Sequence, residues 1–299
     1  MTALVGLPKV KASVVMPTYK DWNSTVDCLR ALASQDLPLS EFEVIVVNNN
    51  PTADVPADLP LQENMRVIWV ETPGSYAARN AGVAEACGSF IFFIDADCKP
   101  DVSWLSQGLA AFARDPNCQR IAGAVEVAPT NGVWNGWSLY DSAFNLQQES
   151  YVKKGFAVTA NLAIRRDLFD NVGPFREASF SGEDKEWNKR ASAAGVPLTF
   201  LNSMSVQHPA RATFIENAQK RRRLAGARVV AKSGLRVAHS VPRFHYILPS
   251  LPAFLKIWRH PVTVPVSTRL SAMWCHYRLG WVHNAEVVRL AFLGSALER

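Results

Sequence analysis

Short apolar runs, each closed by polar or turn-forming residues, recur through the first two thirds of the chain. Val10 to Met16 ends at Pro17. Phe42 to Val47 (FEVIVV) ends in Asn48-Asn49-Asn50-Pro51. Arg66 to Val70 (RVIWV), Phe90 to Ile94 (FIFFI), Arg120 to Val127 (RIAGAVEV) and Leu198 to Leu201 repeat the pattern. Near-continuous apolar runs of this length predict strands covered on both faces, as in parallel sheets. The segments between them carry helical spacing. One helix, capped by Asn23 or Ser24, reaches about Gln35 with Val26, Leu29 and Ala33 inward. A second, built of small residues, follows the Pro73-Gly74 turn and carries Arg79 and Asn80. A third spans Trp104 to Ala113. Trp134, Trp137, Tyr140 and Phe144 share one helical face between Trp134 and Gln148, which predicts core packing. Alternation of strand and helix predicts an α/β fold with a mostly parallel central sheet.

Composition narrows the class. The chain has 299 residues, 48% hydrophobic and 19% charged, enough for a large α/β domain or a domain with an extension. Five scattered cysteines with no CxxC pair indicate neither a zinc knuckle nor a disulfide framework, and a reducing cytosol suits them. The opening residues lack a signal peptide's apolar region, and no uninterrupted apolar stretch reaches about 18 residues, so no spanning helix is expected. The net charge of +6 is unevenly spread: residues 213–299 hold 14 Lys and Arg against three Glu. A mildly acidic domain at 1–212 and a basic extension at 213–299 are therefore expected. The extension reads as a docking surface for something anionic.

Candidate chemistry lies where the Phe90–Ile94 run stops in Asp95-Ala96-Asp97. Carboxyl ends of strands are where open α/β sheets place ligands. Two carboxylates one residue apart there suit a hard cation that also carries phosphates. A turn with two solvated acids is the plainer alternative. A second acidic pair, Glu183-Asp184 after Gly182, opens a helix with Trp187 and Ala191 inward. Such acids also offset the helix dipole.

Pro17-Thr18, Ala78-Arg79-Asn80, Asp95-Ala96-Asp97, Gly182-Glu183-Asp184 and His208, in that order, resemble the core of the family 2 glycosyltransferases over about residues 11–212. The resemblance implies a GT-A nucleotide-sugar-binding sandwich and an inverting transferase acting on a nucleotide-diphosphate sugar. With no spanning helix expected and Arg223 where processive synthases carry Trp, a non-processive enzyme adding one sugar is the reading. The resemblance places Pro17, Thr18, Tyr19, Asn48, Arg79, Asn80, Asp95, Asp97 and Asn161 at the donor. Asp97, Asp95 and His208 would hold Mn²⁺ or Mg²⁺. Asp184 would be the base toward the acceptor hydroxyl, with Glu183 as runner-up. Where the family commonly has an acid after the second strand, this chain has Asn48, which both donates and accepts. Thr159 and Arg165 match a neighbouring part of the pattern. Sugar stacking on Trp137 or Tyr140 is the minority reading of that helix.

Gln219 to Arg223 has the Gln-x-x-Arg skeleton of processive polysaccharide synthases, with Arg223 where those carry Trp. A basic helix and a grip on the donor diphosphate are both open for this run. From Leu248 to Arg299, aromatics interleave with cations, which suits a helix lying on an anionic membrane surface. Packing on the catalytic domain or on a sister chain is the other reading. The expected acceptor is a glycan or lipid-linked saccharide of polysaccharide or cell-envelope assembly. The protein would be cytoplasmic or peripheral on the inner membrane face. Alternatives are a non-catalytic nucleotide-sugar-binding module and, lacking a Gly-rich phosphate loop after the first strand, less readily a sugar nucleotidyltransferase. Nucleic acid is not the expected partner.

Overall fold

The computed structural model describes residues 10–50, 55–179, 181–230 and 250–292. Pro51 and the expected tail segments at 231–249 and 293–299 lie outside the described residues. The elements are, in order, β1 (Ala12–Thr18), α1 (Trp22–Ala33), β2 (Phe42–Asn48), β3 (Met65–Trp69), α2 (Ser75–Glu85), β4 (Phe90–Ile94), β5 (Lys99–Pro100), α3 (Trp104–Arg114), β6 (Arg120–Ala128), α4 (Gly136–Phe144), α5 (Gln148–Val152), β7 (Asn161–Arg165), α6 (Arg166–Val172), α7 (Glu183–Ala193), β8 (Thr199–Pro209), α8 (Phe214–Val230), α9 (Leu251–Trp258) and α10 (Val266–Phe292).

These elements form two compact units. The first takes the described residues up to 126, then 148–179 and 183–208. Its sheet has the strand order β3-β2-β1-β4-β7-β6-β8-β5. β3, β2, β1 and β4 run parallel, while β7 lies antiparallel to β4 and β6, and β5 to β8. Alternate side chains of one strand enter opposite layers. Val14 and Met16 join Val44 and Val46 under α1 and α3. Val15 joins Ile45, Val47, Ile91 and Phe93 under α2, α6 and α7. The middles of β1, β2 and β4 are therefore apolar on both faces. Burying each Val, Ile or Phe contributes about 1.5–3 kcal/mol.

Register fixes what meets at the strand ends. Thr18 pairs with Asn48, and Asn48 with Trp69. Ile94 pairs with Asn161, so Asp95 emerges just beyond. The amino end of the sheet is closed by a buried polar relay. Ser13 donates to Glu43 at 2.6 Å, and Glu43 also accepts from the Cys87 N–H at 2.6 Å and from Arg66 at 2.5 Å.

Several boundaries differ from the sequence reading. Asp21, not Asn23 or Ser24, caps α1, accepting from the Ser24 N–H at 3.2 Å. The inward face of α1 is Thr25, Cys28, Leu29 and Leu32. The run at Leu198–Leu201 is the start of a single longer strand, β8, that carries through to His208 and Pro209. Its exposed first half hid the continuation. The unit boundary also moves. Residues 127–147 belong with the C-terminal helices, because Leu139, Tyr140 and Ala143 of α4 pack against Ala218 of α8, Ile257 of α9, and Ala272, Cys275 and Leu279 of α10. A capping box between Asn135 and Ser138 starts α4.

The second unit takes 127–147, 181–182 and the described residues from 209 onward. Within it α9 lies antiparallel along α10. Ser250 N–H donates to the Tyr277 hydroxyl at 3.2 Å, and Arg269 donates to the Trp258 carbonyl at 2.9 Å. Among the described residues no helix is long and apolar enough to cross a membrane.

Candidate active site

The site is built at the carboxyl ends of the parallel strands. Beyond β4 the chain turns at once, the Cys98 N–H donating to the Asp95 carbonyl at 3.0 Å. Both Asp95 and Asp97 remain partly exposed above a floor of buried Cys28 and Cys98. Burial first, and the two aspartates next, push both thiols well above their usual range.

Arg79 organises the first half of the site. It lies on α2 with its side chain only 5% exposed. One terminal nitrogen pairs with Asp95, the other donates to the Ser75 carbonyl at 3.2 Å, and Nε is buried without a hydrogen-bond partner. Helix α2 is itself positioned by a glycine. Gly74, at φ +123°, adopts a conformation open to little else, and its N–H donates to Asn49 Oδ1 at 2.6 Å. Asn49 also donates to the Val70 and Thr72 carbonyls, at 3.3 and 2.7 Å. It is a tether that the Asn-rich turn signalled only as a turn.

Asp184, in the first turn of α7, faces the same group. Thr159 donates to its Oδ1 at 3.2 Å, and the Tyr76 hydroxyl is a further partner. Burial raises its pKa from the ordinary aspartate value. Arg79 pulls it down and Asp95 pushes it up. Asp184 thus feels both members of the Arg79–Asp95 pair, so the two acidic motifs converge within the first unit. Sequence reasoning left out Tyr76. Its signal was its place three residues before Arg79, on the same face of α2.

Asp97 and His208 meet from segments more than a hundred residues apart. His208 Nε2 lies 3.3 Å from Asp97 Oδ2, brought there by the short β5–β8 pairing of Lys99 with Gln207. Among the described residues, no three His, Cys, Asp or Glu side chains stand close enough to enclose a metal alone. The carboxylate–imidazole pair of Asp97 and His208 still fits a cation whose remaining ligands are water and substrate phosphates.

Nearer the strand row, Thr18 is buried, its hydroxyl 2.7 Å from that of Thr25, with Pro17 half-buried beside it. Tyr19 is 61% exposed, and Lys20 follows at φ +57° with Nζ 5.3 Å from the Tyr19 ring. Asn48 is buried. Its Oδ1 accepts from the Asn50 N–H at 3.0 Å, and its Nδ2 is without a hydrogen-bond partner.

Three expected site residues have framework positions instead. Asn161 is fully buried: its amide accepts from Trp104 Nε1 at 2.9 Å and donates to the Ala124 and Met204 carbonyls, both at 2.7 Å. Both of its N–H donors are spent inside the sheet and the side chain has no exposed surface to offer a sugar. Asn80 donates to the Phe175 carbonyl and to Glu177, and accepts from the Phe175 N–H, so it staples the loop after α6. Glu183 is buried, accepting from the Arg176 N–H and from Arg190, both at 3.0 Å. A carboxylate so engaged is poorly placed to take a proton from an acceptor. Arg165 is likewise structural, donating to the Cys118 carbonyl and lying over Phe90 and Phe112. Trp137 and Tyr140 pack in the core of the second unit.

A sheet of this order with acidic groups converging at its carboxyl edge defines an α/β protein with a ligand site at the strand ends. The family model for Glycosyl transferase family 2 matches residues 13–173, more than half of the chain, and the protein belongs to that family. Glycosyltransferase AglE of Haloferax volcanii is 37% identical over 206 residues, 67% of either chain. Among solved structures, TarS 1–349 of Staphylococcus aureus in complex with UDP-GlcNAc superposes with a TM-score of 0.54 at 19% identity, covering 97% of this chain and 93% of that one. Mannosyltransferase PcManGT of Pyrobaculum calidifontis, in complex with GDP-Man and Mn²⁺, gives 0.52 at 17% identity, covering 97% and 78%. At those identities the likeness is one of fold, and it is the fold the resemblance implied.

Proposed function

We propose that the protein is an inverting, non-processive glycosyltransferase that moves one sugar from a nucleotide-diphosphate donor to a hydroxyl of a glycan or lipid-linked saccharide presented at a membrane face. The observation that carries this reading is the convergence of Arg79, Asp95 and Asp184 in one unit. Asp184 takes the proton of the acceptor hydroxyl. The oxygen attacks the anomeric carbon as its bond to the diphosphate breaks, and the electron pair leaves with the diphosphate. One base and no enzyme nucleophile give inversion. A raised pKa suits a base that must accept a proton near neutral pH. Tyr76 and Thr159 hold its carboxylate, and Arg79 keeps Asp95 oriented toward the donor ribose. Asp97 and His208, with Asp95 directly or through water, would hold Mn²⁺ or Mg²⁺, which supplies charge neutralisation at the leaving diphosphate. Tyr19, exposed and following Thr18, the register partner of Asn48, is the surface offered to the base.

The test is a donor panel that begins with UDP-GlcNAc and GDP-mannose, the sugars carried by the fold's neighbours. It is read by released nucleotide diphosphate and by the anomeric configuration of the product. Metal-dependent release with an inverted product supports the reading. Tight donor binding with neither hydrolysis nor transfer to any acceptor would leave only a binding module.

A further inference from the structure

Outside the site, the second unit presents an unusual outer face. On α9, Leu251, Phe254 and Trp258 are exposed at i, i+3 and i+7, and the Phe254 and Trp258 rings stack with centroids 5.1 Å apart. On α10, which lies alongside, Leu270, Trp274, Trp281 and Val288 are exposed, Trp274 at 63% and Trp281 at 62%. Their intervals of four and seven residues put them on one face. Soluble surfaces rarely leave such a stripe uncovered. Another side of α9 lines an open cavity of about 350 Å³, together with Ala143, Gln147 and His260, through Leu255, Lys256 and Arg259. Lys256 Nζ stands 5.3 Å from the Phe144 ring, and Arg259 is exposed. His260 is engaged with Ser142 Oγ at 3.1 Å. Burial first, then Arg269 and Lys256, push its pKa down, so the positive charge of the cavity comes from Lys256 and Arg259. The sequence assigned to this unit carries 15 Lys and Arg against four acids.

We propose that the α9–α10 face of the second unit docks on an anionic phospholipid bilayer, its tryptophans entering the interface and the cavity at Lys256 and Arg259 receiving a lipid phosphate. The charge decides the occupant. An apolar stripe alone would serve a second copy equally well, but two copies of so basic a unit repel, whereas an anionic bilayer complements both stripe and cations. Indole rings favour the headgroup level of a membrane. The proposal rests on the reading that the acceptor is met at a membrane face, and it is tested apart from catalysis.

The experiment is co-sedimentation of the full chain with phosphatidylcholine vesicles, with and without phosphatidylglycerol. Donor hydrolysis is measured without lipid in the same preparations. Binding is expected only with phosphatidylglycerol and is expected to weaken with salt. A Lys256→Gln, Arg259→Gln protein should bind about ten-fold less tightly or worse. Trp274→Ser, a change on an exposed position that leaves the core alone, should lower binding while circular dichroism stays unchanged. Absent binding to anionic vesicles overturns the proposal, as does binding indifferent to both variants. So does capture of free glycerol phosphate without vesicle binding, which would make the cavity a small-anion site. A dimer in light scattering that Trp274→Ser abolishes, with vesicles ignored, assigns the stripe to self-association and also overturns it. Hydrolysis intact with no vesicle binding rejects the surface alone. Vesicle binding with no turnover of any donor rejects the transferase reading and leaves the surface.

Discussion

Asp184 holds a charge that the surrounding structure disfavours, and that has two measurable sides. Replacing it with Asn should cut transfer by roughly 10²- to 10⁴-fold, the usual share of a general base, while leaving donor affinity within error. The same change should not lower the melting temperature at pH 7. A carboxyl whose folded pKa is raised contributes stability below its unfolded pKa, and loses that contribution as pH rises through the folded value. At neutral pH the parent protein bears that cost, and Asn does not. The acid limb of kcat/KM should accordingly lie above the pKa of an ordinary aspartate. Asn161 gives the opposite result. Asn161→Ala strands the Trp104 indole N–H and two strand carbonyls, and should cost about 2–4 kcal/mol in chemical denaturation. The nucleotide affinity of the folded fraction should stay unchanged, whereas a donor contact would lose affinity. Sequence marked both residues as polar positions in the right order. It could not separate them, because nothing in a linear string tells an amide facing a ligand from one spent inside the sheet.

Strands were legible where both faces of the sheet are covered, because burial on two sides leaves an unbroken apolar run. β1, β2 and β4 were read to within about two residues for that reason, and the edge strand β3, only partly covered, was read equally closely from its β-branched and aromatic residues. β8 was not. Its first half is largely exposed, and apolar character returns only near Met204 and Val206. β5 is two residues long and carries no pattern at all, yet its pairing with β8 brings Asp97 and His208 together. That pairing makes the metal question one of strand geometry. Chelation should abolish transfer and added Mn²⁺ restore it. His208→Ala should raise the Mn²⁺ concentration needed by at least about ten-fold without unfolding the sheet, as followed by activity titration and circular dichroism. Transfer unaffected by a chelator would remove the cation from the scheme.

At the scale of the chain, the basic extension was visible in composition, but its reach was not. Residues 127–147 carry one acid and no Lys or Arg, so charge gave no hint that α4 packs with the C-terminal helices through Leu139 and Tyr140. The second unit also encloses a cation. Lys220, 3.9 Å from the fully buried Asp141, has its pKa driven down to about 7, first by burial and then by Arg211. Between about pH 7 and the ordinary lysine value of 10.5 the unfolded chain holds a proton the folded one lacks, so stability rises with pH across that window. Lys220→Met should flatten that rise relative to the parent and stabilise the protein at pH 7, measured as denaturation midpoints across the range. A parallel pH profile in parent and variant would show the ammonium to be well solvated.

The cysteines have a practical consequence. Four of the five are buried and Cys87 alone is exposed, just before β4, at the amino end of the sheet. A maleimide fluorophore should therefore attach once, at the end of the sheet away from Asp95. That would give a spectroscopic handle whose installation leaves donor turnover intact, and mass spectrometry showing a single adduct on the native protein would verify it.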